Sequence, residues 1–122
     1  REKCGLIPYY PLATGYLTGK YRNNQMPKNS RQSLFKGWER HGNARALKAY
    51  EEYFKLAEQY EISPTHLAHS FVNSRPFVTS NIIGATTMEQ LKENIESVNI
   101  NLTQEILEKI NLIHNNHPNP SP

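Results

Sequence analysis

Residues 5–15 read GLIPYYPLATG and residues 82–94 read IIGATTMEQLKEN. Each stretch begins as a short apolar run, stops at proline or glycine, and continues into residues that bear hydroxyl groups. Apolar runs of this length predict buried strands, here over Gly5–Tyr10 and Thr79–Ile83. Because helices are predicted between them, the two strands should be parallel neighbours in an α/β fold. Two strands cannot make an independent parallel sheet that is covered on both faces, so the chain lacks part of its sheet.

Four helices are predicted from local signals, each a capping residue or proline followed by apolar side chains at helical spacing. They begin at Asn43, Ser63, Thr87 (or Thr86) and Thr103 and extend to about residues 60, 75, 98 and 113. The buried stripe predicted for the third helix is Met88, Leu91, Ile95 and Val98. Residues 13–42 show no sustained period and are predicted to form a long loop, and residues 117–122 to form a disordered tail.

The composition excludes several classes of protein. With 37% hydrophobic residues and no long apolar stretch, the sequence predicts neither a membrane span nor a signal peptide, and we expect a cytoplasmic protein with no membrane partner. One cysteine cannot form an internal disulfide or a multi-cysteine zinc site. All 11 acidic residues are glutamates, so no mechanism that needs an aspartate is complete here. The start at Arg1, inside a strand-like run, predicts a larger parent protein.

The net charge of +3 is unevenly distributed along the chain. Residues 1–50 carry ten Lys or Arg and two Glu, whereas residues 51–122 carry four and nine. Any attraction for phosphate groups therefore belongs to the first half. A nucleic-acid binder is one interpretation of this basic half. Its charge lies in one loop without the pattern of a known module, however, so no nucleic-acid partner is expected.

The end of the second predicted strand has the features of a phosphate site. Gly84 is followed by Thr86 and Thr87 at the start of a helix, which offers backbone N–H groups, hydroxyl donors and the positive end of the helix dipole. Helix capping alone also explains both threonines. Lys20 and Arg31, in the long glycine-bearing loop, are either phosphate ligands or ordinary surface charges.

Together the two stretches resemble the aldo-keto reductases, over a region from Gly5 to about Ile113. Residues 9–21 are similar to the family's seventh barrel strand and the loop after it, and residues 82–94 to the eighth strand and its helix. The likeness is closest to the branch that contains potassium-channel β subunits and bacterial relatives. The resemblance implies that residues 1–116 are the C-terminal part of a (β/α)8 barrel domain, whose barrel is incomplete in this chain.

The resemblance implies NADP(H) as the cofactor. Tyr9 would stack on the nicotinamide, and Leu12 and Thr14 would face the pyrophosphate, partly through main-chain N–H groups. Tyr10 stands where the family usually has a small serine, so this cofactor contact departs from the pattern.

By the same resemblance, Lys20 and Arg31 would clamp phosphate groups, and the spacing between these two residues varies among relatives. The residues implied around the adenosine 2′-phosphate and the adenine are Gly84, Thr86, Gln90, Glu93 and Asn94. A dianionic phosphate favours cations and a helix N-terminus, so the assignment is chemically coherent.

The implied parent reaction is hydride transfer between NADPH and a small aldehyde or ketone. The family uses an Asp, Tyr, Lys and His tetrad that lies on earlier strands, and none of the four can be carried over onto this chain. No catalytic residue is therefore assigned, and the chain is expected to be inactive alone. A non-catalytic module that binds a nucleotide or a partner is the alternative interpretation.

His66 and His69 lie three residues apart on the second predicted helix. This spacing is compatible with a pair of metal ligands, but the usual third and fourth ligands are missing. A half-exposed helix face is the favoured interpretation, and no metal site is predicted.

Overall fold

Side-chain caps start the longer helices at the residues predicted from the sequence. In the computed structural model, which describes residues 3–35 and 39–121, Asn43 Oδ1 accepts the N–H groups of Arg45 and Ala46, both at 3.0 Å. Ser63, Thr87 and Thr103 cap their helices in the same way. The helices are α1 (Arg31–Leu34), α2 (Ala44–Gln59), α3 (Pro64–Asn73), α4 (Met88–Glu96) and α5 (Gln104–Asn116).

The hydrophobic core lies between α2, α3 and α5. Its buried members are Leu56, Ala57, Leu67, Ile106, Ile110 and Ile113. A second cluster, of Ala46, Tyr50 and Phe54, lies further towards the start of α2, and Ala13, Tyr16 and Leu17 pack against it. The segment that follows the first predicted strand is thereby attached to α2.

The two segments predicted as strands lie side by side without forming a sheet. Leu6 and Val78 form a single parallel bridge, in which Leu6 makes two backbone hydrogen bonds of 2.7 and 2.8 Å to the neighbours of Val78. The ladder does not continue regularly, because Pro8 has no N–H to donate. Its carbonyl accepts the N–H of Ile82 at 3.1 Å, one residue out of the regular register. Within the described residues, the strands predicted over Gly5–Tyr10 and Thr79–Ile83 are thus replaced by one bridge, and the fold is mostly helical.

The long loop predicted over residues 13–42 contains short helical turns. They are the 3-10 turns Ala13–Thr18, Arg22–Asn24 and Glu39–His41, together with α1. The sequence did not predict these turns, because several residues with side chains take a left-handed conformation that composition does not signal. Residues 36–38 of the predicted loop lie outside the described part of the chain.

Apart from the partly buried Leu91, the apolar stripe predicted for α4 and the turn after it is exposed. Met88 and Val98, predicted to be buried, are 72% and 67% exposed. The buried side of this segment is polar, with Asn94 and Ser97 almost fully enclosed. The prediction failed because the polar face is hydrogen-bonded to α3, whereas no described element covers the apolar one.

The C-terminal tail, predicted to be disordered, lies against the first half of α2. His117 Nε2 contacts Glu52 Oε1 at 2.7 Å, and Asn43 Nδ2 donates to the carbonyl of Pro120 at 2.9 Å. Arg45 donates to the carbonyl of Pro118 at 3.1 Å. Prolines favour an extended tail whose carbonyls are open to such donors. Residue composition alone does not indicate that α2 supplies these donors.

Candidate functional site

Two segments begin at the same end of the paired extended segments around Leu6 and Val78. We call residues 9–20 the first junction and residues 83–94 the second junction. The Leu6–Val78 bridge and the Pro8–Ile82 hydrogen bond align the two extended segments in one direction, so both junctions emerge at their carboxyl ends. In α/β proteins ligands bind at this end of neighbouring strands.

The backbone of the first junction is strained. Tyr10, Ala13 and Thr14 have φ values of 59°, 48° and 57°, and Gly15 follows with φ 99°. Residues with side chains adopt this region rarely, at a cost of about 1–3 kcal/mol each. Such conformations are concentrated at functional sites in proteins, so this turn is the first candidate for a ligand site.

Thr14 presents a polar atom that nothing in the described chain satisfies. Its Oγ1 is buried and has no hydrogen-bond partner. The turn around it is otherwise well bonded, since the carbonyl of Leu12 accepts the N–H groups of Gly15 at 2.9 Å and Leu17 at 3.2 Å. A buried hydroxyl without a partner is costly, and a ligand oxygen that reached it through a small movement of the turn would remove that cost.

Lys20 lies beside this turn. Its ammonium is 5.2 Å from the ring centroid of Tyr21, and a Cβ placed on Gly15 would lie 3.0 Å from Nζ. The tip of the lysine side chain therefore packs against the backbone next to Thr14. A hydroxyl and an ammonium in this arrangement form a donor set for an anionic oxygen.

The first junction is held on α2 by aromatic and ionic contacts. The ring of Tyr16 stacks on that of Tyr50, with centroids 5.9 Å apart. Arg22 donates from Nε to Glu51 Oε2 at 2.9 Å, also bonds Glu58, and lies over the ring of Phe54. The arginine lowers the pKa of Glu51 through a side-chain hydrogen bond. These contacts fix the base of the turn that carries Thr14 and Lys20.

Tyr9 and Tyr10 form an open aromatic surface at the start of the first junction. Tyr9 is 65% exposed, and the two ring centroids are 4.7 Å apart. Tyr10 also meets the ring of His41 edge-on, at 6.2 Å. Burial lowers the pKa of His41, with a smaller contribution from the charge of Arg40. An exposed aromatic face of this kind can stack on a planar ring.

Arg31 is placed differently from the other residues assigned to the first half. It is the first residue of α1, after the cap provided by Ser30, and is exposed. Its predicted role as a phosphate clamp remains a prediction.

At the second junction, the polar groups at the start of α4 bond to one another. Gln90 Oε1 accepts from both the backbone N–H and the hydroxyl of Thr86, at 3.0 and 3.1 Å. In return, Thr87 Oγ1 accepts the N–H of Gln90 at 3.3 Å. The carboxylate of Glu89 accepts hydrogen bonds from its own backbone N–H and from the hydroxyl of Thr87. These two bonds lower the pKa of the Glu89 carboxyl. Thr87 therefore caps α4, whereas Thr86 bonds the side chain of Gln90.

Gly84 has open space beside it. A Cβ built on this residue would meet no atom within 4 Å. Its carbonyl accepts from Asn94 Nδ2 at 3.2 Å, so the turn is tied to α4 while its outer face stays accessible. Nothing inside the described chain requires a glycine at this position, whereas close approach of a ligand to the backbone would.

Glu93 and Asn94 face α3. Glu93 Oε1 accepts from the hydroxyl of Ser63 at 2.9 Å, and its backbone carbonyl accepts from His66 Nε2 at 3.0 Å. Asn94 is buried and accepts from His69 Nε2 at 3.1 Å through Oδ1. Both residues implied to bind adenine thus have partners within the chain already.

The roles of the two histidines were not predicted from the sequence. His69 is 1% exposed, so the half-exposed face favoured for it was wrong, and burial lowers the pKa of its ring. Each histidine instead bonds one of two consecutive residues of α4. The signal that could have found this is the polar stripe of α3, whose members are Ser63, His66, His69 and Ser70.

Two kinds of feature are absent from residues 3–35 and 39–121. No three His, Cys, Asp or Glu side chains there are placed to share a metal ion. None of the helices in that part of the chain has the length and apolarity needed to cross a membrane.

The family model and the relatives that match this chain are in agreement. The model of the aldo/keto reductase family matches residues 2–115. The protein Tas of Escherichia coli (strain K12) is 38% identical over 121 residues, which cover 99% of this chain and 35% of Tas. A putative voltage-gated potassium channel subunit beta of Schizosaccharomyces pombe is 36% identical over 121 residues, 93% of this chain and 35% of that protein. An aldo-keto reductase of Babesia bovis is 34% identical over 114 residues, 89% of this chain and 40% of that protein. The chain thus spans 35–40% of the length of these relatives.

Proposed function

Because this chain belongs to the aldo/keto reductase family, we propose that it forms the dinucleotide-binding C-terminal part of an NADP(H)-dependent carbonyl reductase. The family generally reduces carbonyl compounds with NAD(P)H and has a (β/α)8 barrel fold. In this proposal the segments around Leu6 and Val78 correspond to the seventh and eighth barrel strands. The substrate of the intact protein is a small aldehyde or ketone.

The buried, unpartnered hydroxyl of Thr14 is the observation that carries the proposal. It stands at the position where the family resemblance calls for a pyrophosphate contact, in a turn strained by three left-handed residues with side chains. Lys20 packs against the same turn and supplies a cation. A pyrophosphate oxygen is the kind of acceptor that satisfies a hydroxyl donor and an ammonium together.

The remaining assigned residues extend the proposed binding site from the nicotinamide to the adenine. Tyr9, with its exposed ring, accepts the nicotinamide, while Leu12 faces the pyrophosphate through its backbone. Arg31 approaches the phosphates from α1. At the second junction, Thr86 and Gln90 frame the 2′-phosphate beside the open face of Gly84, and the α4 residues Glu93 and Asn94 border the adenine.

The bound dinucleotide supplies the hydride for carbonyl reduction. The residues of this chain bind and orient it: Lys20 neutralises phosphate charge, the Thr14 hydroxyl donates a hydrogen bond to a phosphate oxygen, and Tyr9 presents a flat apolar surface. No proton donor for the carbonyl oxygen is assigned among them. We therefore propose that the chain alone does not turn over substrate and that the tetrad belongs to preceding strands of a longer protein.

The exposed apolar side chains support the incomplete-barrel part of the proposal. Leu6, Ile7, Phe77 and Ile82 are each more than half exposed, on the segments where a closed barrel would continue. Surface of this kind is normally covered by a neighbouring element.

The test is a titration of the full chain with NADPH, followed by fluorescence or calorimetry, with NADH as the matched control that lacks the 2′-phosphate. We expect saturable binding of NADPH and weaker binding of NADH. An assay of NADPH oxidation with a small aldehyde should stay at the blank rate. Absence of saturable binding for both nucleotides would overturn the proposed function, and turnover of the aldehyde would overturn its incomplete-barrel part.

A further inference from the structure

The second junction is attached to the interior by a chain of side-chain hydrogen bonds. Asn94 Nδ2 donates to the carbonyl of Gly84 at 3.2 Å, and Asn94 Oδ1 accepts from His69 Nε2 at 3.1 Å. The other ring nitrogen of His69, Nδ1, accepts from Asn81 Nδ2 at 3.2 Å. The same Asn81 amide nitrogen also lies 3.2 Å from Asn73 Oδ1. His69 therefore links α3, α4 and the segment that precedes Gly84.

The directions of these bonds follow from the chemistry of each group. An amide oxygen can only accept, so the Nε2 of His69 must carry a proton to bond Asn94 Oδ1. An amide nitrogen can only donate, so Nδ1 must be bare to accept from Asn81. The neutral ring protonated at Nε2 satisfies both bonds, whereas the charged ring breaks the bond to Asn81 and the neutral ring protonated at Nδ1 breaks both.

The position of His69 gives these bonds their strength. The side chain is 1% exposed and Asn94 is 5% exposed, so water cannot readily replace a lost partner. Removing one partner from a buried hydrogen bond leaves the other unsatisfied, which costs more than the bond itself contributes.

We infer that His69 is a positioning residue for the second junction: it fixes the orientation of the Asn94 amide, and through it the Gly84 turn beside which the adenosine end of the dinucleotide binds. The inference rests on the proposed function for the identity of that ligand. His69 does not touch the ligand. It acts through Asn94, in the way that buried partners orient the direct ligands of a site.

His66 provides a matched control. It lies one helical turn before His69 on α3 and also bonds α4, but to the backbone carbonyl of Glu93 rather than to a side chain. Its loss should disturb the contact between the helices without reorienting Asn94 or the Gly84 turn.

The experiment uses the full chain labelled with ¹⁵N, and it compares the wild type with His69→Leu, His69→Gln and His66→Leu. Wild-type His69 should carry its ring proton on Nε2. The His69→Leu substitution should shift the resonances of the Gly84 backbone amide and the Asn94 side-chain amide, and should weaken the binding of adenosine 2′,5′-bisphosphate roughly tenfold. His66→Leu should leave both resonances and the affinity near wild type. His69→Gln keeps a donor near the position of Nε2, so the changes in the resonances and in the affinity should be smaller than in His69→Leu. It also replaces His69→Leu in these measurements if that variant does not fold.

A ring proton on Nδ1, or unchanged Gly84 and Asn94 resonances in both His69 variants, would overturn the inference. Equal weakening of the probe by His66→Leu and His69→Leu would also overturn it, because the effect would then be one of helix packing. A wild-type chain that does not bind adenosine 2′,5′-bisphosphate counts against the proposed function alone, since the proton position and the amide resonances still decide the role of His69.

Discussion

The first and second junctions differ in what their polar groups bind to. At the first junction, the hydroxyl of Thr14 is buried without a partner, and the backbone around it is left-handed at several residues. At the second junction, the side chains of Thr86, Gln90 and Asn94 are bonded to one another, to the Gly84 turn and to α3.

This difference separates two ways in which a strand end can be prepared for a ligand. An unsatisfied donor in a strained turn stores free energy that a ligand can release on binding. A fully bonded turn stores little, but it is held in place before the ligand arrives, which lowers the entropic cost of binding. We therefore expect direct ligand contacts to dominate at the first junction and positioning to dominate at the second.

The largest expected effect comes from breaking the bonded network of the second junction. The Asn94→Leu substitution removes the partner of His69 Nε2 and the donor to the Gly84 carbonyl. It should lower the free energy of unfolding by about 2–3 kcal/mol, measured by urea denaturation. Gln104→Leu is the control, because Gln104 bonds Glu108 on the exposed surface of α5 and its loss should change stability by less than about 0.5 kcal/mol. Equal effects of the two substitutions would contradict the importance of the network.

A smaller effect is expected from adding a methyl group to the glycine of each junction. Gly15→Ala places a side chain at φ 99° and brings a Cβ to 2.8 Å from Lys20 Cε, so it should cost about 1–2 kcal/mol of stability. Gly84→Ala meets open space and should leave the free energy of unfolding unchanged within about 0.5 kcal/mol. Differential scanning calorimetry of the two variants checks this contrast. A Gly84→Ala loss as large as that of Gly15→Ala would show that the Gly84 turn is also strained.

The pH dependence of stability should show whether His69 is buried as a neutral ring. Burial holds its pKa below the ordinary value of 6.5 in the folded chain, with the nearby charge of His66 also lowering it and Glu93 and the Asn94 hydrogen bond opposing the shift. The unfolded chain therefore binds more protons just below pH 6.5, so this contribution to stability is fully present above that pH and is lost as the pH falls towards the lowered pKa. His41 has a pKa shifted in the same direction and adds to the loss.

Urea denaturation at about pH 7.5, 6.5 and 5.5 measures this contribution. The wild type should lose stability from pH 6.5 downwards, and His69→Gln should lose less over the same interval. Carboxyl groups such as Glu51, whose pKa is lowered from 4.5, lose their contribution to stability only at lower pH, so they affect this interval little. A His69→Gln profile parallel to that of the wild type would mean that His69 is not buried as a neutral ring.

Local signals allowed the helices to be predicted from the sequence. Asn43 and Ser63 cap their helices as their positions indicate, because an N-cap depends on residues only two or three apart. The sheet could not be predicted in the same way. Pro8 interrupts the ladder, and parallel pairing depends on contacts between segments far apart in the chain, which local patterns do not indicate.

The family resemblance indicated the two segments that lie side by side, but not the behaviour of individual side chains. Alanine and threonine rarely adopt positive φ, yet Ala13 and Thr14 do so here. No local pattern therefore indicates the left-handed turn that isolates the Thr14 hydroxyl. The partner of Asn94 is His69, 25 residues away, and such a contact depends on how α3 packs against α4. The apolar stripe of α4 indicated a helix correctly, yet it did not indicate which face of that helix is buried here.

One pair of measurements on Thr14→Val tests most directly whether the unpaired hydroxyl of Thr14 serves a dinucleotide, as proposed. Valine has the same shape and the same branching as threonine, so the turn is preserved. The substitution should raise the free energy of unfolding by about 1 kcal/mol, because a buried unpaired hydroxyl is removed, and should weaken NADPH binding about tenfold. Thr18→Val in the same turn should instead lower stability, since the Thr18 hydroxyl donates to the Gly15 carbonyl at 2.8 Å. A Thr14→Val chain that is less stable than the wild type, or that binds NADPH equally well, would contradict the account.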